Sequence, residues 1–114
     1  MKVAIGSDHG GFIYKEAVKK HLEDKGITVI DVGSYHEDSV DYPLYGIAVG
    51  EKVRDKAADL GIVICTSGEG ITIAANKVKG VRAGNGYNDD VSRLIREHNN
   101  ANVIGCGGSQ MELK

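Results

Sequence analysis

The feature of this 114-residue sequence best suited to chemistry is a cysteine followed by a glycine-rich segment, CTSGEG at residues 65–70. An apolar run ends at Cys65, and a short helix is expected to follow. Backbone N–H groups at such a turn favour anions. A thiolate there could take a proton from the carbon beside a carbonyl while the turn stabilises the enediolate oxygen. A buried cysteine with a purely topological turn remains the alternative, and Cys106 is interpreted as structural on the same ground.

Four other polar residues could contribute to a site. Asp8 and His9 follow the first strand and precede two glycines that would let a ligand approach the backbone. Asp8 could equally cap the first helix, whereas His9 is harder to explain as a cap. His98 could act as a general acid or base near neutral pH, or simply interact with a helix dipole. Tyr42 could be a packing residue or a hydroxyl donor.

Alternating strands and helices are expected to position these residues. Short apolar runs predict five strands, at residues 3–5, 27–32, 60–65, 81–84 and 102–106. Amphipathic segments predict four helices, at residues 11–25, from 43 through 53, from the glycine-rich turn through 77, and at 89–98. This alternation predicts an α/β fold, a three-layer α/β/α sandwich with a five-stranded parallel sheet of Rossmann-like type. The strand order is expected to begin 2-1-3, and ligands should bind beyond the carboxyl ends of the strands.

The composition limits the class of protein. A chain of 114 residues, 41% of them hydrophobic, suits one domain with an aliphatic core, because it has no Trp and one Phe. The net charge of −2 leaves no basic face for nucleic acid. Dispersed basic residues such as Lys15 and Lys19 are expected on solvated helix faces. The absence of a membrane-length apolar run, a signal-peptide pattern or a disulfide framework predicts a cytoplasmic protein without a membrane partner.

Five stretches of the chain resemble the type B ribose-5-phosphate isomerases and the related galactose-6-phosphate isomerase subunits. They are GSDHGGF (6–12), VIDVG with SVDYP (29–33 and 39–43), IVICTSGEGITIAANKVKGVRA (62–83) and REHNNANVIGCGG (96–108). Together they run through nearly the whole chain, and IAANKVKGVRA after a cysteine-containing glycine loop is highly specific. The resemblance implies an aldose–ketose isomerase that acts through an enediolate, most simply on ribose 5-phosphate and ribulose 5-phosphate.

The resemblance also implies a role for each candidate residue. Cys65 is expected to be the catalytic base and His98 to help open the furanose ring, with the His98 region entering from a partner chain. The substrate-binding residues that it implies are Asp8, His9, Tyr42, Thr66, Ser67, Gly68, Glu69, Gly70 and Asn99. We therefore expect a homodimer, or a tetramer, that binds a sugar phosphate and needs neither a metal nor an organic cofactor.

Several positions depart from the family pattern. Glu69 stands where other members carry a small or apolar residue, so it could compete as a base or repel a phosphate. Thr66 replaces a usual Gly, and Ile71 stands where members without the Cys carry a Glu base. Ser109 replaces an Arg, and residues 1–114 are expected to form a single isomerase domain without the family's C-terminal helix and basic tail. Losing Arg–phosphate pairs would weaken substrate binding.

Alternative functions stay open at this point. The first is an isomerase of galactose 6-phosphate or another hexose phosphate. The second is a catalytically inactive sugar-phosphate-binding or assembly domain, which the missing tail and Ser109 would favour. Cys65, Asp8 and His98 favour the enzyme instead. A dinucleotide-binding domain has less support, because no G-x-G-x-x-G follows the first strand.

Overall fold

The computed structural model of the chain describes residues 1–35 and 41–108, whose strands form one parallel sheet. The sheet has the order β2-β1-β3-β5-β4, and each neighbouring pair is parallel. Its strands are β1 (Lys2–Ser7), β2 (Thr28–Asp31), β3 (Leu60–Cys65), β4 (Ala83–Asn85) and β5 (Val103–Gly107). The predicted five-stranded parallel sheet and the 2-1-3 start of the strand order are confirmed.

Four helices cover the two faces of the sheet, as predicted. They are α1 (Phe12–Asp24), α2 (Tyr42–Arg54), α3 (Glu69–Asn76) and α4 (Asp89–Glu97). A single 3-10 turn at His9–Gly11 precedes α1, so this helix begins one residue later than predicted. It ends where Gly26 takes a φ of +80°, the left-handed conformation expected after a helix. No helix within residues 1–35 and 41–108 is long and apolar enough to cross a membrane.

The main apolar core lies between the sheet and the helices α2 and α3. Val49, Val63 and Ile71 are fully buried there. The helix α2 can approach α3 closely because residue 46 is a glycine, at which a Cβ would lie 2.7 Å from the carbonyl oxygen of Ile71. This packing fixes the start of α3, and with it the glycine-rich segment that follows β3.

The opposite face, covered by α1 and α4, holds a buried ion pair. The expectation that Lys15 is solvated was wrong: its side chain is fully buried, and its Nζ lies 2.6 Å from Oδ2 of Asp31. Burial by itself raises the pKa of Asp31. The hydrogen bonds from Lys15, the Gly33 N–H and Lys19 outweigh burial and lower that pKa below its ordinary value. Lys15 can be buried because the end of β2 supplies the carboxylate, a tertiary partner that the helical pattern could not reveal.

Candidate active site

Two loops meet at the carboxyl edge of the sheet, the edge at which β1, β3 and β5 end. The Asp8 N–H donates to the Ile64 carbonyl oxygen at 3.2 Å, which ties the end of β1 to β3. The Asp8 carboxylate is buried and accepts a hydrogen bond from the Gly11 N–H at 3.1 Å, so Asp8 does cap the 3-10 turn. A Cβ at Gly10 would lie 2.1 Å from Thr66 Oγ1, so the loop after β1 touches the loop after β3.

Cys65 is the last residue of β3, and its side chain is buried at this junction. Its Sγ accepts a hydrogen bond from the Gly68 N–H at 3.1 Å. This contact requires Gly68 to adopt a φ of +86° and to lie so close to β5 that a Cβ would be 2.8 Å from the carbonyl carbon of Cys106. A backbone N–H directed at the sulfur can stabilise negative charge there. The loop therefore supplies the Cys65 sulfur with a backbone donor.

The helix α3 begins inside the same loop. Ser67 Oγ accepts a hydrogen bond from the Glu69 N–H at 3.2 Å, and the Thr72 hydroxyl donates to the Gly68 carbonyl oxygen. The first N–H groups of a helix lack intrahelical partners and carry the positive end of its dipole. Thr66, Ser67 and Glu69 are exposed. The loop thus offers backbone donors and hydroxyls to a negatively charged or hydroxylated ligand.

Two further predicted residues reach this edge. Tyr42 is the first residue of α2, and a Cβ at Gly70 would lie 2.8 Å from Cζ of its ring and 3.2 Å from its hydroxyl oxygen. The half-exposed ring therefore lies over the end of the glycine-rich segment. His9 is exposed in the 3-10 turn, next to Gly10. The carboxyl edge thus collects Asp8, His9, Tyr42 and residues 65–70.

The carboxylate of Glu69 is held by a residue that the sequence did not single out. Asn85 Nδ2 donates to Glu69 Oε1 from the end of β4. Because β5 separates β4 from β3, this contact directs the carboxylate away from the Asp8 side of the loop. The one available signal was an amide residue ending a strand. Asn85 Oδ1 is buried and has no hydrogen-bond partner among the described residues.

His98 and Asn99 lie at the amino edge of the sheet, where the strands begin. His98 follows α4, and its N–H donates to the Leu94 carbonyl oxygen at 2.8 Å. The Asn99 carbonyl oxygen accepts a hydrogen bond at 2.6 Å from Nε of Arg82, the residue that precedes β4. A strand of six residues separates the two edges by roughly 16 Å. One chain therefore does not bring His98 or Asn99 to Cys65.

A cavity of about 370 Å³ lies at this amino edge, lined by Asn76, Arg82, Ile95 and Asn99 among others. It is remote from Cys65 and does not belong to the carboxyl-edge site. Within the part of the chain that the structure describes, no group of three or more His, Cys, Asp or Glu side chains could hold a metal ion. Ser109 lies outside the described residues.

The second cysteine is separated from the first by the sheet itself. Cys106 is in register with Ile64 on the neighbouring strand, so its side chain points to the face opposite to that of Cys65. Both thiols are free, and burial raises the pKa of Cys106 to about 11. Cys106 therefore stays protonated at neutral pH, which is consistent with a structural role.

Relatives of the chain are found along nearly its whole length. Residues 3–114 match the family model described as Ribose/Galactose Isomerase. The chain is 41% identical over 113 residues to Ribose-5-phosphate isomerase B of Escherichia coli, covering 99% of this chain and 76% of that protein. It is 44% identical over 108 residues to the galactose-6-phosphate isomerase subunit LacB of Clostridium acetobutylicum, covering 95% of this chain and 62% of that protein.

Solved structures agree with these relatives. Ribose-5-phosphate isomerase B of Clostridium thermocellum superposes with a TM-score of 0.98 at 47% identity, covering 99% of this chain and 76% of that one. The enzyme of Mycoplasma genitalium, solved with bound ribulose-5-phosphate, gives a TM-score of 0.92 at 38% identity, covering 97% and 74%. The chain spans between 62% and 76% of the length of these four proteins. It belongs to the ribose/galactose isomerase family.

Proposed function

We propose that the chain is an aldose–ketose isomerase of sugar phosphates, with ribose 5-phosphate and ribulose 5-phosphate as its substrate pair. The observation that carries this proposal is the Cys65 thiol, held by the Gly68 N–H just before α3, where the loop after β1 touches the loop after β3. Moving a carbonyl between C1 and C2 requires a base next to the carbonyl and donors for the enediolate oxygen. This edge offers both.

In the proposed reaction, the Cys65 thiolate removes the proton from C2 of the open-chain aldose. The C2–H electron pair forms the C1–C2 double bond, and the C1 carbonyl oxygen becomes the enediolate oxygen. Backbone N–H groups in the first turn of α3 stabilise that charge. The thiol then returns the proton to C1, and the hydroxyl proton at O2 passes to O1, which gives the ketose. Asp8, His9 and Tyr42 bind the hydroxyl groups of the sugar.

Glu69 is the rival base, and its hydrogen bond with Asn85 argues against it. A carboxylate engaged by an amide donor two strands away from β3 is poorly placed for the proton that Cys65 would take. We infer instead that Glu69, with Thr66 and Ser67, binds the substrate at the rim of the loop. A base must first satisfy geometry, and the Cys65 thiol lies at the junction of the two loops, where the Asp8 carboxylate is already engaged by the Gly11 N–H.

We infer that the active site is completed by a second copy of the chain. His98 and Asn99 lie at the amino edge, which a single chain cannot fold onto its own carboxyl edge. A two-fold dimer could present the amino edge of one protomer to the carboxyl edge of the other, so that His98 assists ring opening and Asn99 binds the sugar. A homodimer is the smallest assembly that meets this need, and a tetramer of two such dimers would meet it equally.

The proposal extends to the domain organisation, the cofactor requirement and the location of the protein. Residues 1–114 act as one isomerase domain, since every described strand belongs to one sheet. An enediolate mechanism uses a base and oxyanion donors, so we propose that it proceeds without a metal or an organic cofactor. We place the protein in the cytoplasm, where free thiols such as Cys65 and Cys106 stay reduced.

A second candidate substrate has specific support. The subunit LacB, named for galactose-6-phosphate isomerase, is as similar to the chain as the ribose-5-phosphate isomerases are. A hexose phosphate has one more hydroxyl-bearing carbon than ribose 5-phosphate. That additional hydroxyl could donate a hydrogen bond to the exposed Glu69 carboxylate. Comparing kcat/KM for ribose 5-phosphate and galactose 6-phosphate separates the two candidates.

The decisive experiment on the chemistry follows exchange of deuterium from solvent into C2 of ribose 5-phosphate. The Cys65→Ala variant should lose both the exchange and the isomerisation, by roughly a thousandfold, because both need the same proton abstraction. The Glu69→Gln variant should lose less than about tenfold. The reverse ranking would assign the base to Glu69. A wild-type chain without turnover on either sugar phosphate would favour the inactive binding domain.

A further inference from the structure

The segment that carries His98 and Asn99 is held by hydrogen bonds to its backbone. We call residues 97–102 the His98 turn. Inside this turn Asn100 adopts a φ of +50°, which is uncommon for a residue with a side chain. The Asn100 N–H donates to the Arg96 carbonyl oxygen at 3.1 Å, and the Ala101 N–H donates to that of Ile95 at 2.9 Å. These contacts close the turn onto the helix α4 alone.

Arg82 connects the same turn to the sheet. Its Nε donates to the Asn99 carbonyl oxygen at 2.6 Å, a short charge-assisted hydrogen bond. The Arg82 N–H donates to Asn102 Oδ1 at 2.8 Å, and its carbonyl oxygen accepts from the Asn102 N–H at 2.9 Å. Asn102 Nδ2 in turn donates to the Gly80 carbonyl oxygen at 3.0 Å. One residue thus binds the turn near its middle and at its end.

The hydrogen bond from Arg82 Nε to the Asn99 carbonyl oxygen is the contact that can set the direction of His98. It fixes the carbonyl of Asn99, the peptide unit that leads directly into the left-handed Asn100. Arg96 also bonds the turn, with Nη1 2.8 Å from the Ala101 carbonyl oxygen, but Arg96 belongs to α4 and moves with it. Arg82 precedes β4, so its side-chain bond ties the middle of the turn to the sheet, whereas Asn102 ties only its end.

We propose that Arg82 is a positioning residue that aims His98 and Asn99 into the active site of a partner chain. This inference rests on the proposed function, specifically on the shared site. Displacing a catalytic group by about 1 Å can reduce the rate roughly a hundredfold. Residues 97–100 of the turn are exposed, so without the Arg82 side chain this part of the turn would be held by α4, while Asn102 at its end stays bonded to the main chain of residues 80 and 82.

The direct test is to replace Arg82 and measure turnover of ribose 5-phosphate. Arg82→Gln should lower kcat roughly ten- to a hundredfold, because the Asn99 carbonyl loses its hydrogen bond to the residue that precedes β4. Arg82→Lys should lower kcat to a similar extent. The Cε methylene of lysine would occupy the position of Arg82 Nε, and a methylene cannot donate this hydrogen bond. Arg93→Gln, on the exposed side of α4, is the matched control and should keep wild-type turnover. Full activity in the Arg82→Lys variant would overturn the proposal, and this variant keeps the comparison valid if Arg82→Gln fails to fold.

A second measurement separates positioning from direct substrate binding. A residue that acts through His98 and Asn99 should have little effect once both side chains are removed. Adding Arg82→Gln to a His98→Ala/Asn99→Ala chain should therefore lower kcat/KM by less than about threefold. A further loss as large as in the wild-type background would mean that Arg82 contacts the substrate itself, and the positioning role would be wrong.

Mixed dimers assign Arg82 to one half of the site. Co-expressed with Cys65→Ala chains, Arg82→Gln chains should regain activity, because the intact Cys65 and the intact His98 turn then come from different chains. Co-expression with His98→Ala chains should restore nothing. The opposite pattern would place Arg82 in the Cys65 half and overturn the inference. A reference mixture of Cys65→Ala and His98→Ala chains without activity would instead refute the shared site, so the two failures are distinguishable.

Discussion

The two edges of the sheet are built in different ways. At the carboxyl edge, backbone groups and glycines fix the geometry: Gly68 supplies the donor to Cys65, and Gly10 admits Thr66. At the amino edge, long polar side chains fix the geometry instead: Arg82 and Asn76 form hydrogen bonds with main-chain atoms. A site for proton abstraction gains from a rigid backbone cradle, whereas a group supplied to a partner has to project from the surface. Each edge therefore suits the half of the site that we assign to it.

The largest effect on stability should come from the buried ion pair at the carboxyl edge. Asp31→Ala would leave the fully buried Lys15 without its main partner, at a cost of about 4 kcal/mol in the free energy of unfolding. The pKa of Asp31 lies below its ordinary 3.8, so the stabilisation is present above that pH and is lost as the pH falls through the folded-state pKa. Urea denaturation measures both effects.

The matched control for this pair is Asp55→Ala. Asp55 is bound by Arg54 Nε at 2.8 Å on an exposed surface, where such pairs contribute little. We expect no measurable change in its unfolding midpoint. Equal losses in the Asp31 and Asp55 variants would contradict the distinction between the buried and the exposed pair.

A methyl group in the cradle should have the next largest effect. Gly68→Ala combines a φ of +86° with contacts near 2.8 Å, so it should destabilise the fold by about 3 kcal/mol and displace the N–H that faces Cys65. Gly80→Ala is its control, because Gly80 has a φ of +91° but no atom within 4 Å of the added Cβ. That variant should lose about 1 kcal/mol, from the backbone conformation alone. Equal losses would mean that the close approach at Gly68 does not matter.

At the amino edge, the corresponding test is Asn76→Ala. The Asn76 amide donates to the Ala83 carbonyl oxygen and accepts from the Ala83 N–H, each at 2.8 Å, as a neighbouring strand would. Removing both hydrogen bonds should cost about 2 kcal/mol and expose the edge strand β4 to pairing with another chain. Thermal unfolding and light scattering report the two consequences. Unchanged stability would show that water replaces the amide fully.

The last effect is absent at neutral pH and concerns Cys106 at alkaline pH. Its pKa is raised from 9.0 to about 11 by burial, so its protonated form stabilises the fold below pH 9 and this contribution is lost as the pH rises through about 11. Wild-type stability should therefore fall more steeply over that window than that of Cys106→Ala, by up to about 3 kcal/mol, because each pKa unit corresponds to about 1.4 kcal/mol. Parallel declines would mean that Cys106 titrates normally.

Much of the architecture could be predicted from the sequence, because each element carries its own local signal. The apolar run 60–65 became β3 with the predicted bounds, and Gly26 ended α1 as expected. The buried Lys15 was missed since its partner, Asp31, lies on another element. Which residues form such pairs depends on where each element lies in the sheet. The helical pattern around Lys15 does not contain this information.

The same distinction between local signals and distant contacts applies to the candidate site. The motif around Cys65 predicted a loop at the carboxyl edge, and the structure has it there. Asn85 and Arg82 could not be predicted, because each acts through a contact with a distant segment of the chain. Their signals were a polar residue at each end of a short strand, which many surface residues share.

We propose that the carboxyl edge of one chain and the amino edge of another form one active site. Equal amounts of Cys65→Ala and His98→Ala chains, each inactive alone, would test this shared site after co-expression. Random pairing makes half the dimers mixed, and each mixed dimer has one intact site, so about one quarter of wild-type activity should return. A mixture that stays inactive, although size analysis shows mixed dimers, would contradict the claim.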